Sequence, residues 1–546
     1  MRWLLAPLLA LSWLTGTGVA AWGADPEVWY NPHGPSDMLN MWTDTAPWQN
    51  AAQKVRVLGL VHWWVRSATD SQILAISDFA KRHHMKVELE VEAITRFASE
   101  ACGHTEGYTA PTDLPGTIAI LKRLNVHVDA MAMDEPVWFG HYSPDSRNCR
   151  LSVPDLVARI ASNVSTILAQ YPNIQVYEIE TLPAVTNFPD WRQTLTSFRA
   201  GLSKAIGKNI RGIQMDVDWG TPAWIPALRD MNTFLHQQNM GLGIIYDGTG
   251  FARSDIEWMN QATQHFEYIE GVLGIIPDEA IFTSWQKYPA TNMPETSPTA
   301  LTWLINRYIR DRPVLSAQFV GRGAHGRLTD ASGKPIANAT INAYVPGVDF
   351  TLPLPATVIQ DVVPANAVKA YMGIRLNTEC NCQGMNDVLV GTLKYQEIQG
   401  GSSQFSIQYP PVHALVQGAI VDGEWVGGTK VTRVITTPTQ TFHPTWGTFP
   451  VTPGAQFTFT IPTSTIGAYG WYGNIFLLWI DANGNSLTRL SVIPDPGKRL
   501  MSTTTTAADG TFQLPKIPRV GPGSAPVTIE FSGDDAHRSV GWSPLQ

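Results

Sequence analysis

VELEVE (Val87–Glu92), VDAMAMDE (Val128–Glu135), IQVYEIE (Ile174–Glu180), IQMDVD (Ile213–Asp218) and LGIIYD (Leu242–Asp247) decide the fold of this chain. Each is a short apolar-rich run that ends in a carboxylate, and each is followed by a loop and a helical stretch. Strands alternating with helices read as a parallel α/β architecture. Three further runs complete the series, Val28–Tyr30, Val55–Val61 and Ala280–Trp285. The helical stretches between them are expected at 38–54, 71–84, 115–124, 153–171, 191–206, 223–238, 254–268 and 298–309. Asp190, before Trp191, and Ser254, before Ile256, stand where helix caps belong. Eight βα units over residues 24–315 have the length and count of a (β/α)8 TIM barrel, whose active site lies at the carboxyl ends of the strands.

The rest of the chain reads differently. At 546 residues it exceeds one core, so several domains are expected. After Pro313 helical periodicity stops, and short Thr/Val/Ile/Phe-rich runs alternate with Gly, Pro, Asn and Asp, as in all-β sandwich domains. GRLTDASGKPIANATI (Gly326–Ile341) resembles the opening of a bacterial Ig-like module, and ADGTFQL (Ala508–Leu514) and VTIEFSGD (Val527–Asp534) resemble its closing half. The division this implies is a discontinuous Ig-like sandwich, 316–345 with 500–546, around an inserted β-sandwich at 346–499. In the insert, Phe457–Ile461 and Ile475–Ile480 read as paired strands and Asp481–Gly484 as a tight turn. This texture resembles a carbohydrate-binding jelly roll, and a purely structural sandwich fits it equally.

The first 23 residues have the pattern of a signal peptide: a basic start, an apolar run over Trp3–Leu14, then small residues before Ala24. A secreted or periplasmic protein with no membrane span after cleavage is the expectation. Formal net charge is −8 and charged residues make up 15%, which argues against a nucleic-acid partner. Of four cysteines, Cys102 follows strand three and Cys149 follows strand four, on one face of the expected barrel, so a disulfide between them is expected. Cys380 and Cys382 either bridge in a small loop or stay reduced. Neither pair has zinc-site spacing or nearby His partners, and no metal or cofactor is expected.

Alternation along a strand assigns the acids to faces. Val87, Leu89 and Val91 go to the helices, and Glu88, Glu90 and Glu92 into the barrel. Gln214, Asp216 and Asp218 likewise go inward, and Glu178 and Glu180 share a face. A mouth crowded with carboxylates cannot ionise them all. A protonated acid beside an ionised partner is what glycosidic bond cleavage uses.

Met133-Asp134-Glu135-Pro136, with Trp138 beyond, resembles the strand-four ending of the retaining (β/α)8 glycoside hydrolase clan, which reads Asn-Glu, often followed by Pro. The resemblance implies that Glu135 is the acid/base. The clan's nucleophile, a Glu ending strand seven, corresponds to Asp247 in Ile245-Tyr246-Asp247-Gly248. The clan's Trp ending strand eight corresponds to Trp285. This chain departs from the clan with Asp for Asn and Asp for Glu. Asp247 is therefore the first partner for Glu135, with Glu180 and Asp218 in reserve. Asp134, Glu92, Asp216, Trp138, Trp285, His62, Trp63 and Tyr246 are the expected carbohydrate contacts. Two other readings remain open. One is a metal-dependent barrel enzyme using Glu92, Glu180, Asp216 or Asp218 with a His. The other is a polysaccharide-binding protein without catalysis. Any of these acids taken singly also fits a helix cap or an Arg partner, and Asp218-Trp219-Gly220 and Asp247–Gly250 also fit turns.

Overall fold

The computed structural model describes residues 25–542 except 33–35, 221–223, 251, 311, 321–322, 347–352, 355, 377–385, 400–401, 410–418, 427, 437–444, 466–472, 493–497, 516–526 and 535. The expected signal peptide and Cys380 and Cys382 lie outside the described residues.

Eight parallel strands close into a barrel: β1 (Glu27–Asn31), β2 (Val57–Val61), β3 (Lys86–Val91), β4 (Ala130–Met133), β5 (Gln175–Leu182), β6 (Ile210–Val217), β7 (Gly241–Ile245) and β8 (Glu279–Thr283). Closure is made by β1 on β8, with Trp29 opposite Ile281 and Asn31 opposite Thr283. The two faces of each strand meet different cores. Trp29, Val57, Ala130, Ala132, Tyr177, Ile179, Ile245 and Ile281 fill the barrel, and Trp29 meets Tyr177 edge-on at 5.1 Å. Val87, Leu89, Met131, Met133, Met215 and Ile244 pack outward on the helices. The fold expected from the eight apolar runs is the fold observed.

Helices α1 (Gln49–Ala52), α2 (His62–Ser67), α3 (Asp70–Arg82), α4 (Asp113–Arg123), α5 (Val153–Gln170), α6 (Trp191–Ile206), α7 (Trp224–Gln237), α8 (Asp255–Phe266) and α9 (Leu301–Tyr308) surround the barrel. The single helix expected over 38–54 is instead a 3-10 turn at Ser36–Asn40 and the one-turn α1. Pro47 explains the break, since it lacks an N–H and disfavours helix at the residue before it. α3 begins with a capping box between Thr69 and Gln72, and Ser254 caps α8 through the Glu257 amide. Asp190 does not cap α6. Its carboxylate instead accepts from the Tyr142 hydroxyl at 3.0 Å. Among the described residues no helix is long and apolar enough to cross a membrane.

Beyond the barrel, Gly323–Thr329 pairs with Val314–Val320 and, far along the chain, with Thr511–Leu514. Thr340–Pro346 pairs with Lys498–Thr505 and Thr528–Phe531. These sheets share a core that includes Leu328, Ile341, Phe512 and Ile529. Between them lie two further sheets. Gln456–Thr465 and Gly473–Ile480 belong to different ones, so they do not pair as expected. They face each other across a core, with Phe457 and Trp479 rings 5.2 Å apart. Gln456–Thr465 begins with alternating apolar and polar residues and Ile475–Ile480 is a continuous apolar run, and neither pattern distinguishes pairing within a sheet from packing between sheets. Gly484 closes the turn after the second strand at φ 87°.

One interior contact leads toward the mouth. A Cβ on Gly59 of β2 would fall 1.9 Å from Asn31 Oδ1, so Asn31 lies directly over this glycine. From there Asn31 hydrogen-bonds Glu90. Gly59→Ala is expected to cost about 1–3 kcal/mol through overpacking. Asn31→Ala in the same chain should recover part of that loss. Thermal unfolding of the single and double variants checks this, and an additive loss would refute it.

Candidate active site

At the carboxyl end of the barrel the inward positions are polar: Asn31, Glu90, Asp134, Thr181, Asp216, Asp247 and Thr283. Parity follows from interior apolar residues two positions below, such as Ala132 below Asp134 and Ile245 below Asp247, and for Glu90 and Asp216 from the outward Leu89 and Met215 beside them. Glu135 breaks the parity. It should point outward with Met133, but its φ is +40°, in the left-handed region that non-glycine residues rarely adopt. This bend turns it back, and it shares a hydrogen bond with Asp216. Consecutive residues thus both reach the mouth. Glu135 is only 7% exposed.

Glu180 secures the bend from outside. Tyr177 and Ile179 take the inward positions of β5, so Glu178 and Glu180 lie behind the barrel wall, fully buried. Glu180 Oε1 accepts from the Val137 amide at 2.6 Å and Oε2 from the Trp138 amide at 3.0 Å. This corrects the expectation that Glu180 stands in reserve as a partner carboxylate. Both its oxygens are committed to the backbone just after Glu135.

Asp247 stands two residues beyond the end of β7 and is 2% exposed. Its Oδ1 accepts from Trp219 Nε1 at 2.5 Å and its Oδ2 from Gln286 Nε2 at 3.1 Å. A cleft of about 210 Å³ opens beside it, lined among others by Asp216, Asp218, Trp219, Trp285 and Gln286. Trp285 is 52% exposed at this cleft. Asp218 is exposed and accepts from the Gly220 amide at 3.0 Å, which is turn chemistry at the rim.

Electrostatics tie the acids together. Burial, then Asp216 and Asp134, push Glu135 well above the ordinary carboxylate range. Burial, then Glu106, push Asp216 up to about 7. Glu90 is likewise pushed up to about 7 by burial and then Glu106. Burial, then Glu90, raises Asp134, and burial, then Asp216, raises Asp247. The mouth therefore holds protons at neutral pH. Glu106 was not among the expected residues. It lies in the 92–112 loop, where no periodicity marks it, and the Cys102–Cys149 disulfide ties that loop to the one after Glu135.

The other expected contacts divide. Glu92 Oε2 lies 3.5 Å from Nε2 of the buried His62, the first residue of α2. Trp63 is exposed on α2. Trp138 is half-buried, 6.5 Å from Phe188. Tyr246 is fully buried on the helix side, where its hydroxyl donates to Glu270 at 3.0 Å, so it has no access to a ligand. Alternation decides this, because Asp247 takes the inward position next to it. Trp219, Gln286, Trp258 and His265 were missed, since they lie in loops and helices whose sequence does not reveal what faces Asp247. Among the described residues, the ligand atoms of the mouth's acids and His62 do not gather three within 4.8 Å. The trio that does is Glu100 with the bonded Cys102 and Cys149.

No protein-family model and no curated protein matches this chain. Solved structures with a similar barrel include xylanase XynB from Paenibacillus barcinonensis, with 14% identity and TM-score 0.34, covering 50% of this chain and 88% of that one. A GH86 protein in complex with neoagarooctaose has 9% identity and TM-score 0.33, covering 80% and 95%. A truncated 3-deoxy-D-arabino-heptulosonate 7-phosphate synthase from Thermotoga maritima has 10% identity and TM-score 0.30, covering 52% and 85%. Proteins of different chemistry are thus similar to this chain at the same level.

The buried Glu178 gives a test away from the mouth. Burial pushes it up to about 7 from an ordinary 4.5. Between those values the folded chain keeps a proton that the unfolded chain has released, so stability falls as pH rises. Glu178→Gln should remove on the order of 1–3 kcal/mol of that fall. Melting temperatures at pH 4.5 to 8 check this, and an unchanged slope would refute it.

Proposed function

We propose that the barrel is a glycoside hydrolase of an exported protein, in which Glu135 is the general acid and Asp247 the opposing carboxylate. The observation that carries this reading is the left-handed turn at Glu135. It brings a buried, proton-holding carboxylic acid into the mouth against Asp216. A backbone conformation that costs on the order of 1–3 kcal/mol persists only where the surroundings enforce it, and such sites cluster at functional positions.

The chemistry follows from the two environments. Glu135 protonates the glycosidic oxygen as the bond breaks, leaving oxocarbenium-like charge on the sugar. Asp216, hydrogen-bonded to Glu135, shares its proton and keeps it available at neutral pH. Asp247 accepts two N–H donors, and as an anion it either attacks the anomeric carbon or activates a water. Asp is shorter than Glu, which favours holding a water and hence inversion. Carboxyl separations near 5–5.5 Å accompany retention and about 6.5–9.5 Å inversion. The exposed Trp285 beside the cleft offers an apolar face for a sugar ring. The N-terminal leader pattern and the Cys102–Cys149 bridge support export. The 346–499 insert, in this reading, is an accessory sandwich that either binds carbohydrate or serves as structure.

Glu135→Gln should lower the rate on natural polysaccharide by about 10²–10⁴-fold, and less on aryl glycosides whose leaving group needs no proton. Asp247→Asn should lower it on both substrate types. Because the acid must be protonated, wild-type activity should fall on the alkaline side as Glu135 ionises. Hydrolysis of a polysaccharide and aryl glycoside panel, with folding checked by circular dichroism, tests this. Full activity in both variants ends the reading. Proton NMR of the first-formed anomer decides between retention and inversion.

A further inference from the structure

Asp247 stands in a frame of donors that nothing in its strand requires. Trp219 follows β6, and its Nε1 donates to Oδ1. Gln286 follows Trp285 after β8, and its Nε2 donates to Oδ2 and, at 3.3 Å, to the Gly248 carbonyl. The direction of the Gln286 amide is determined by a third residue. Trp258 Nε1, which can only donate, bonds Gln286 Oε1 at 2.8 Å, so the NH2 end must face Asp247. Trp258 is itself fully buried, and a Cβ on Gly248 would fall 2.5 Å from its ring, so the loop after Asp247 packs directly on the indole. On the other side, Trp219 stacks on His265 with centroids 3.8 Å apart and an 11° tilt. His265 Nδ1 lies 2.8 Å from the Asp247 carbonyl oxygen and donates to it.

We propose that Trp219 and Gln286 are positioning residues that favour the anionic form of Asp247 against burial, with Trp258 fixing which end of the Gln286 amide faces it. This rests on the glycosidase reading and deepens it, because it assigns the basic role to Asp247 and leaves the proton with Glu135 and Asp216. Indole N–H and amide NH2 only donate, so they favour a carboxylate anion over the acid. The titratable groups that act on Asp247 are Asp216 and Asp218 from β6 and the rim, which oppose its charge, and His265 from α8. Burial pushes His265 down to about 4, so it stays neutral and supplies no compensating charge. The two N–H donors then offset part of what burial and the Asp216 charge do.

The test reads ionisation without needing a substrate. Melting temperature is measured from pH 5 to 8 for wild type, Asp247→Asn, Gln286→Leu, Trp219→Phe and the combinations with Asp247→Asn. In wild type burial and Asp216 already raise Asp247 in the folded chain, so Asp247→Asn should remove a small part of the wild-type fall in stability with pH. Without a donor, Asp247 holds its proton in the folded chain to higher pH. Gln286→Leu and Trp219→Phe should therefore add a fall of several degrees as pH rises, and Asp247→Asn should erase the added fall. Trp258→Phe should give a smaller added fall, because it frees the amide without removing it. If Trp219→Phe does not fold, Gln286→Leu alone carries the comparison, its side chain being only half-buried. The same slope in donor variants and wild type overturns the proposal, as does an equal effect of Asp247→Asn in every background. Full glycosidase activity of Asp247→Asn would remove the catalytic reading and leave the slope comparison standing. Lost activity with unchanged slopes would remove only the donor proposal. On a hydrolysed aryl glycoside, the acidic limb of kcat/KM should also move up by about one pH unit in Gln286→Leu, about tenfold in proton affinity.

Discussion

The backbone at Glu135 is the constraint on which the mouth depends. Strict alternation along β4 offers the barrel interior one acid, Asp134, and sends its neighbour to the helices. A φ of +40° admits both. The conformation is held from behind by Glu180, whose two oxygens take the amides of Val137 and Trp138. An acid on one face of the wall thus fixes where an acid on the other face points. Glu180 lies buried beside Glu178, and burial is the main cause of its raised proton affinity.

The same economy runs through the barrel interior. Its lower part is filled by apolar side chains and by the Trp29–Tyr177 contact, while its upper rim carries acids from β3, β4, β6 and β7. Close packing below keeps the acids at one level, and burial at that level keeps protons on them. Asp216 is central to this arrangement, since it hydrogen-bonds Glu135 and opposes the charge of Asp247. Asp247 differs from the rest in meeting two N–H donors, which sets its chemistry apart within a single acidic cluster.

The wall behind Asp247 is anchored to the C-terminal part of the chain. Tyr246 donates to Glu270, and Glu270 pairs with the buried Arg538 at 2.9 Å and with Arg312 at 3.2 Å. Arg538 also lies 4.2 Å from the Tyr308 ring. A buried guanidinium needs such partners, because an uncompensated charge there is strongly destabilising. The sandwich thus reaches the strand that leads to Asp247.

By itself the sequence determined the eight strands and most of the helices, because each apolar run carries its own period and each is bounded by its own caps and turns. It also placed Glu90 and Asp216 on the inward face, since parity within a strand is local. Tertiary structure decided the rest. Val176, and not Ile179, joins the outer core, so the β5 acids lie behind the wall, and no period within one strand reveals which of its faces closes inward. Pairing within or between sheets is equally invisible for Phe457 and Trp479. The left-handed turn at Glu135 and the donors on Asp247 come from residues tens of positions away, brought together only when the barrel closes. Hydrogen-bond direction and burial, which determine where protons reside, exist only in that assembled geometry.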